Sequence, residues 1–374
     1  MVNMQNKILI VVGITILFLG VGIQPAMAND NPIKPISNGK TLYVGGSSEG
    51  NYTKIQDAID NASSGDTVFV YNGSYFENVI VNKSINLIGK DRNTTFIDAN
   101  YSGDVVYVSA KRTNISGFTI KNSGNREAPY CDAGIDIDAS NCCVYDSKIL
   151  ENEYGIYFNG FFGSSNKNTI MGNIISKNEY GTWGYKSQNN TITRNNIFQN
   201  GVGIFHITGN NNIIQNNISN NYGGIKAQST NNYITDNIIS SNNCYGISIT
   251  SDKNTINNNT ISGNEYGIYL TYIFFLPNIF SPSTKNIIYG NTISDNSYGI
   301  YLEYSLLNLI LKNNFINNEE DAFFTRSFFN RWKQNYWNGS RVFPKLIFGY
   351  IGYFRYQWIN IDWRPAKEPY DIDV

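Results

Sequence analysis

NTINNNTISGNEYGIYL, residues 254–270, contains the phrase that decides the fold of this 374-residue chain. Two Asn-x-Ile triplets lead through a polar step into Tyr-Gly-Ile, and the phrase recurs along the sequence. Its first Ile falls at Ile170, Ile192, Ile213, Ile234, Ile256, Ile288 and Ile310, at intervals of 22, 21, 21, 22, 32 and 22 residues. One unit therefore carries a ten-residue insertion. Two asparagine columns keep step with these Ile positions. One runs Asn173, Asn195, Asn216, Asn237, Asn259, Asn291, Asn313, and the other Asn178, Asn200, Asn221, Asn242 (or Asn243), Asn264, Asn296, Asn318.

A fixed period of this length marks a solenoid. A unit of about 22 residues holds three short strands, each turning one or two aliphatic side chains inward. Successive units stack at the strand separation of about 4.8 Å, so Ile lies on Ile inside and Asn on Asn at the corners. A corner Asn tolerates left-handed backbone, and its amide donates to one neighbour while accepting from the other. The Gly of Tyr-Gly-Ile is expected to supply a turn. The reading is all-β, a parallel β-helix of about ten coils. Leucine-rich repeats and propeller blades have other spacings.

Working outward, fainter coils precede the regular ones, anchored at Ile115 and Val144. Thr53 is placed to cap a short helix bearing Ile55, Ala58, Ile59 and Ala62 on one face. After Asn318 the repeat fades into an aromatic-rich segment with Trp332, Trp337, Trp358 and Trp363, read as a C-terminal cap. The first residues resemble a targeting segment: Lys7 precedes an apolar run from Ile8 to Ile23, followed by Ala26-Met27-Ala28. The expected organisation is 1–28 signal peptide or N-terminal anchor, 29–110 N-terminal cap and first coils, 111–322 regular repeats, and 323–374 C-terminal cap. The chain is expected to be secreted or at the cell surface.

Charged residues are only 15% of the chain and the net charge is −1, which removes the electrostatic drive for nucleic-acid binding. Four cysteines, Cys131, Cys142, Cys143 and Cys244, are too few for a disulfide scaffold. The spacing leaves open one local bridge from Cys131 to Cys142 or Cys143, and Cys244 is expected to be buried at a turn.

The stretch Tyr52–Asp98, beginning YTKIQDAIDNASSGDTVFV, resembles the entry segment of NosD-like, pectin-lyase-type right-handed parallel β-helix proteins of archaeal secreted type. The Asn-x-Ile and Tyr-Gly-Ile coils at 141–318 are similar to that family's repeats. Asp362-Trp363-Arg364-Pro365 through Ile372 resembles tails on some of its members. The resemblance implies the handedness of the helix. For activity it implies a range from lyases, hydrolases and epimerases to copper-site accessory proteins and non-catalytic surface proteins.

The residues narrow that range. Glycoside hydrolysis needs paired carboxylates. The only dense carboxylates among the coils are Asp132, Asp136 and Asp138, of which Asp136 and Asp138 alternate with Ile135 and Ile137 and so point outward. They are the weak catalytic candidates, able to hold a cation such as Ca²⁺ or a sugar, or else simply solvated. Arg331-Trp332-Lys333 matches an Arg-x-Lys pattern by chance. Copper needs His, Cys or Met ligands, and the mature chain offers only His206, Met171 and the four cysteines. His206 falls where other coils place the inward Phe158, Ile249, Leu270 and Leu302.

A binding surface has more support. One outward position per coil reads Asp136, Tyr157, Trp183, Phe205, Lys226, Ser248, Tyr269 and Tyr301, with Tyr185 beside it. Stacked aromatics form a ridge on which sugar rings can lie. Insertions at 161–165 and 272–284 follow the same strand and are placed to wall a groove around Trp183–Ser248. The apolar loop 272–280 is a second possible membrane contact besides residues 8–23. Eleven Asn-x-Ser/Thr sequons occur, including Asn51, Asn61, Asn72, Asn82 and Asn93. The resulting expectation is a β-helix that binds extracellular polysaccharide or envelope glycan without catalysis or cofactor. A polysaccharide lyase or hydrolase with a nonstandard site, and a NosD-type copper-site accessory protein, are the alternatives.

Overall fold

Thr255–Asn257, Thr260–Ser262 and Tyr266–Leu270 form three consecutive strands, and alternation turns Ile256, Ile261, Ile268 and Leu270 into a fully buried interior. The same triple recurs along the chain. First-of-coil strands pair in parallel with one another to make a first sheet of 13 strands, second-of-coil strands a second sheet of 12, and the Tyr-Gly-Ile strands a third of 13. This is a right-handed parallel β-helix with more coils than the ten expected. The structure, a computed structural model, describes residues 39–126, 131–161, 165–206, 208–276, 279–339, 343–352 and 355–372, and at 273–276 and 279–280 the backbone alone. The proposed targeting segment and its cleavage position lie outside those residues.

Registry is Ile on Ile: Ile192, Ile213, Ile234, Ile256, Ile288 and Ile310 are successive partners in the first sheet. A second ladder fixes the corners. In Asn216 the backbone N–H and Nδ2 both donate to Oδ1 of Asn237 (2.9 and 3.0 Å), and Nδ2 also donates to the carbonyls of Ile192 and Ile214. Within the columns an amide thus closes bonds to the coils on both sides. Besides the two expected columns there is a third, Asn168, Asn190, Asn211, Asn232, Asn254, Asn286, Asn308 and Asn330, linked N–H to Oδ1 throughout. It occupies the Asn of the first Asn-x-Ile triplet, so each of the three corners has its own ladder.

Two expectations about these corners are corrected. The left-handed residue is the one before each ladder Asn, such as Arg194, Gln215, Asp236 and Asn258 at φ 52–56°. A non-Gly residue there costs about 1–2 kcal/mol, which the multiply bonded amide offsets. Nor do the Tyr-Gly-Ile glycines supply left-handed turns. A Cβ on Gly181 would meet the Gly203 carbonyl oxygen at 2.4 Å, and one on Gly224 the Gly246 oxygen at 2.4 Å. These glycines are required by close approach between coils.

The ends differ from the sequence reading in detail. The helix Ile55–Asn61 buries Ile55, Ala58 and Ile59, but Thr53 does not cap it. Glu77, from the coil beneath, accepts from the free N–H groups of Ile55 and Gln56 at 2.9 and 3.0 Å. At the other end the coils continue through Glu320–Thr325, Arg331–Lys333 and Tyr336–Trp337, with Phe315, Phe324, Trp332 and Trp337 replacing aliphatic residues inside. An antiparallel hairpin, Lys345–Ile351 with Tyr356–Asp362, then ends the third sheet. The buried Asp362 carboxylate takes the place of the next ladder Asn. It accepts from the backbone of Gln334 and Asn335, from Asn335 Nδ2 and from Trp337 Nε1. Trp358 and Trp363 stay exposed.

All four cysteines are unpaired. Cys131 packs with Tyr154 and Tyr157 in an outer cluster, whereas Cys142 belongs to the interior, so no bridge between these two forms.

Asn237→Ala leaves the Asn216 N–H and amide without their acceptor and should lower unfolding stability by about 2–4 kcal/mol. Asn243→Ala, an exposed neighbour whose side chain makes no bond, should change it by less than about 0.5 kcal/mol. Denaturant unfolding of both variants checks this, and equal effects would remove the ladder as the source of stability.

Candidate functional site

The third sheet turns two side-chain columns outward, and parallel registry stacks them coil on coil. Tyr107, Asp136, Tyr157, Trp183, Phe205, Lys226, Ser248, Tyr269, Tyr301 and Phe323 are successive partners. The sequence-derived ridge is therefore one continuous column. It divides into two aromatic patches. In the first, Trp183 meets Tyr154, Tyr180 and Phe205 at 4.7, 4.5 and 5.1 Å between ring centres. In the second, Tyr266 stacks on Tyr298 at 5.4 Å, and Tyr301 on Phe323 at 5.7 Å. Phe205 and Tyr269 are three strand steps apart, roughly 14 Å.

Between the patches the column falls to Lys226 and Ser248, and a cleft of about 480 Å³ opens. Lys226, Gln228, Cys244, Tyr245, Ser248, Thr250, Tyr269, Thr271, Tyr272 and Glu303 line it. Gly223 makes room for this arrangement, since a Cβ there would strike the Tyr245 ring at 2.4 Å. Cys244, expected to be buried, is half-exposed at the cleft wall. Lys226 rests over the Phe205 ring, 5.1 Å from its centre, with no ion pair among the described residues, and burial lowers its ammonium pKa. Glu303 instead accepts from Tyr269 Oη at 2.5 Å and Thr271 Oγ1 at 3.3 Å. Burial, then the hydrogen bond to Glu303, raises the pKa of Tyr269.

Both insertions stand beside this strand. Phe161 stacks on Tyr185 at 6.3 Å, and Lys186 lies over both rings; residues 162–164 lie outside the description. The second insertion is a hairpin, Tyr272–Leu276 against Ile279–Thr284, whose return strand pairs with Ser305–Leu306. Its Tyr272 meets Tyr304 edge-on at 4.6 Å. The side chains proposed for membrane contact, 273–280, lie outside the description.

Asp136 and Asp138 leave the strand outward as expected, but Asp136 is not solvated. It is buried, with one oxygen held by Asn159 Nδ2 at 3.2 Å and the other without a partner. Burial, then the neighbouring Asp104, holds its pKa well above the usual carboxylate range. Burial likewise raises Asp104 to about 6, against the hydrogen bond it accepts from the Ala133 N–H. Asp138, half-buried, accepts from Tyr107 Oη at 3.2 Å, and Asp132 is paired to Arg126. Asp104 was missed because it lies in a turn with no repeat pattern around it. Neither Asp136 nor Asp138 lines the cleft.

A family model described as "Periplasmic copper-binding protein (NosD)" matches residues 59–231 and 208–343. Among solved structures, the A-module of the mannuronan C-5 epimerase AlgE4 of Azotobacter vinelandii is similar, with a TM-score of 0.59 at 15% identity over 75% of this chain and 89% of that one. A DFA-IIIase from Arthrobacter chlorophenolicus A6 in complex with GF2 gives 0.58 at 12% identity, over 81% and 95%. XylC in complex with xylose gives 0.53 at 11%, over 78% and 76%. At these identities the likeness carries the fold and leaves chemistry to the residues. No curated protein matches the chain.

The donors present do not fit a copper site. Among the described residues no three His, Cys, Asp or Glu side chains stand together as a metal set. Burial pushes the thiols of Cys142 and Cys143 up to about 11 and 12, away from the thiolate a metal needs. His206 points into the core, fully buried 5.5 Å from the Phe158 ring, with both ring nitrogens unpartnered. It fills the space above Gly184, where a Cβ would meet Nδ1 at 2.6 Å.

Burial depresses the His206 pKa from 6.5 to about 4. The unfolded chain therefore binds the extra proton between these values, and stability should fall as pH drops from 6.5 to 4, by about 3 kcal/mol in all. His206→Leu should abolish that part of the acid dependence in urea unfolding. An unchanged profile would show that another group controls it.

Proposed function

This chain belongs to the NosD family, and from that premise we propose that it is an exported β-helix whose third-sheet face binds a polysaccharide without cleaving it. The observation that carries the reading is the cleft itself. Two aromatic patches flank a short polar stretch, and a parallel sheet offers a new contact at every step of about 4.8 Å. Aromatic faces take the apolar faces of sugar rings. Gln228, Ser248 and Thr271 supply hydrogen-bonding groups between them. Small-molecule sites combine apolar walls with a few such groups in this way. The family's description as periplasmic supports export.

Two features support a non-catalytic role. The unpartnered oxygen of Asp136 is sealed from solvent, so a bound chain would not reach it without rearrangement. Glu303, the one carboxylate among the described residues that line the cleft, is held by two hydroxyls. The copper alternative finds no donor set among the described residues. The raised pKa of Asp136 keeps the lyase or hydrolase alternative testable.

Affinity electrophoresis of the full chain against a panel of neutral and acidic polysaccharides should find at least one retarding glycan. Trp183→Ala and Tyr269→Ala should each weaken that binding about tenfold or more, equivalent to about 1.4 kcal/mol. Tyr101→Ala, an exposed aromatic remote from the cleft, should leave it unchanged. Wild-type affinity in both variants would eliminate the site. Chain shortening or new unsaturated ends that vanish in an Asp136→Asn/Asp138→Asn double variant would replace binding with catalysis.

A further inference from the structure

The asparagines of this chain fall into two populations. Between residues 105 and 372 there are 45, and five open an Asn-x-Ser/Thr sequon. Between residues 39 and 104 there are eight, and six do so: Asn51, Asn61, Asn72, Asn82, Asn93 and Asn100. The first region sets the rate at which an Asn-rich repeat produces sequons by chance, about one in nine. The same rate applied to eight residues gives about one.

The structure separates these six further. Asn51, Asn61 and Asn93 have their amides engaged, with the Gly45 carbonyl, the Asp57 carbonyl and the Asp91 carboxylate. Asn72, Asn82 and Asn100 are exposed, and their side chains make no hydrogen bond among the described residues. Each sits on a different corner. Asn72 lies between Thr67–Val70 of the first sheet and Gly73–Phe76 of the second. Asn82 lies between Val79–Val81 of the third and Asn86–Gly89 of the first, and Asn100 between Thr95–Asp98 of the second and Val106–Val108 of the third. Ser74 and Ser102, the hydroxyls of two of these sequons, are exposed, and Ser84, the third, is half-buried. By contrast Asn114, a sequon within the coils, is buried and spends its amide on Asn86 Oδ1.

We infer that Asn72, Asn82 and Asn100 are N-glycosylation sites that form a collar around the N-terminal end of the helix. This rests on the export reading, since the modification takes place on translocated chain. The co-reactant is a lipid-linked oligosaccharide acted on by a membrane transferase. Nδ2 forms a bond to the anomeric carbon, the bond from that carbon to the lipid phosphate breaks, the phosphate leaves, and the Nδ2 proton passes to a base of the transferase.

The collar answers a physical need. The three sheets end here at Thr41–Val44, Gly73–Phe76 and Val79–Val81; among the described residues the first edge is covered only by a bridge from Tyr52 to Val44, the third only by the Gln56 side chain on the Ile80 backbone, and the second by no strand. Phe76 and Tyr101 are 71% and 72% exposed beside the sequons. Unpaired edges next to apolar surface invite strand pairing between molecules, and bulky hydrophilic chains on each corner oppose it. The cleft on the third sheet lies many coils away and stays uncovered.

The test is peptide mass spectrometry of the full chain recovered from its own source, with cell fractionation and sequencing of its N-terminus. Peptides containing Asn72, Asn82 and Asn100 should carry a mass increment of at least one hexose, and the peptide containing the buried sequon Asn114 none. An Asn72→Gln/Asn82→Gln/Asn100→Gln variant should lose the increment on those peptides while its circular dichroism is unchanged. Unmodified peptides at all three positions in exported protein would overturn the collar and leave polysaccharide binding standing. A bare chain retained inside the cell would overturn the collar and the export reading together.

Discussion

Each corner of the regular coils depends on one arrangement: a left-handed residue followed by an asparagine whose amide bonds to the neighbouring coils. The left-handed step is unfavourable by itself, and a sharp corner also strands backbone donors that no sheet ladder can reach. One amide resolves both. In Asn195 the backbone N–H and Nδ2 share the Oδ1 of Asn216, and Nδ2 takes up the carbonyls of Ile170 and Thr193. Asp and Ser could accept but could not donate to two carbonyls, and Gln is a methylene too long for the corner. The repeat therefore holds Asn at three positions per coil while the residues facing solvent drift.

The corners fix registry, and registry makes the outer face. Because strands are parallel and unslipped, a residue type repeated in sequence becomes a column in space, and a break in the type becomes a gap. Tyr154, Tyr180, Trp183 and Phe205 coalesce into one patch, and Tyr266, Tyr269, Tyr298 and Tyr301 into another. Lys226 and Ser248 leave the cleft between them. The same stacking explains Asp136. Its place in the column is outward, yet Tyr107 and Tyr157 bracket it along the sheet, and Cys131 packs with Tyr157 over the same face. Direction from the strand and exposure to water are separate properties.

The ends obey the same logic with different atoms. A ladder of asparagines must stop somewhere, and the last donors need an acceptor that asks for none in return. The Asp362 carboxylate meets that need at one end, and the Glu77 carboxylate meets it for the helix N-terminus at the other. Both are acceptor-only groups placed by segments that lie outside the periodic part of the chain.

The sequence by itself determined the coil. Ile at a 22-residue spacing can only stack inside, and the two recognised Asn columns follow from the same count. The third column was in plain view as the Asn of each first triplet, hidden because it reads as part of the Ile motif. The outward ridge Tyr157, Trp183, Phe205, Lys226, Tyr269 and Tyr301 was equally legible, since strand alternation assigns faces without coordinates. What only the tertiary structure decided were matters of distance between coils. They include the reason for the Tyr-Gly-Ile glycines, the burial of Asp136 beside Asp104, the separation of Cys131 from Cys142, and the choice of Glu77 over Thr53 as cap. Each depends on which residue of another coil comes within a few ångströms, and a one-dimensional period fixes the order of neighbours but not the shapes that meet.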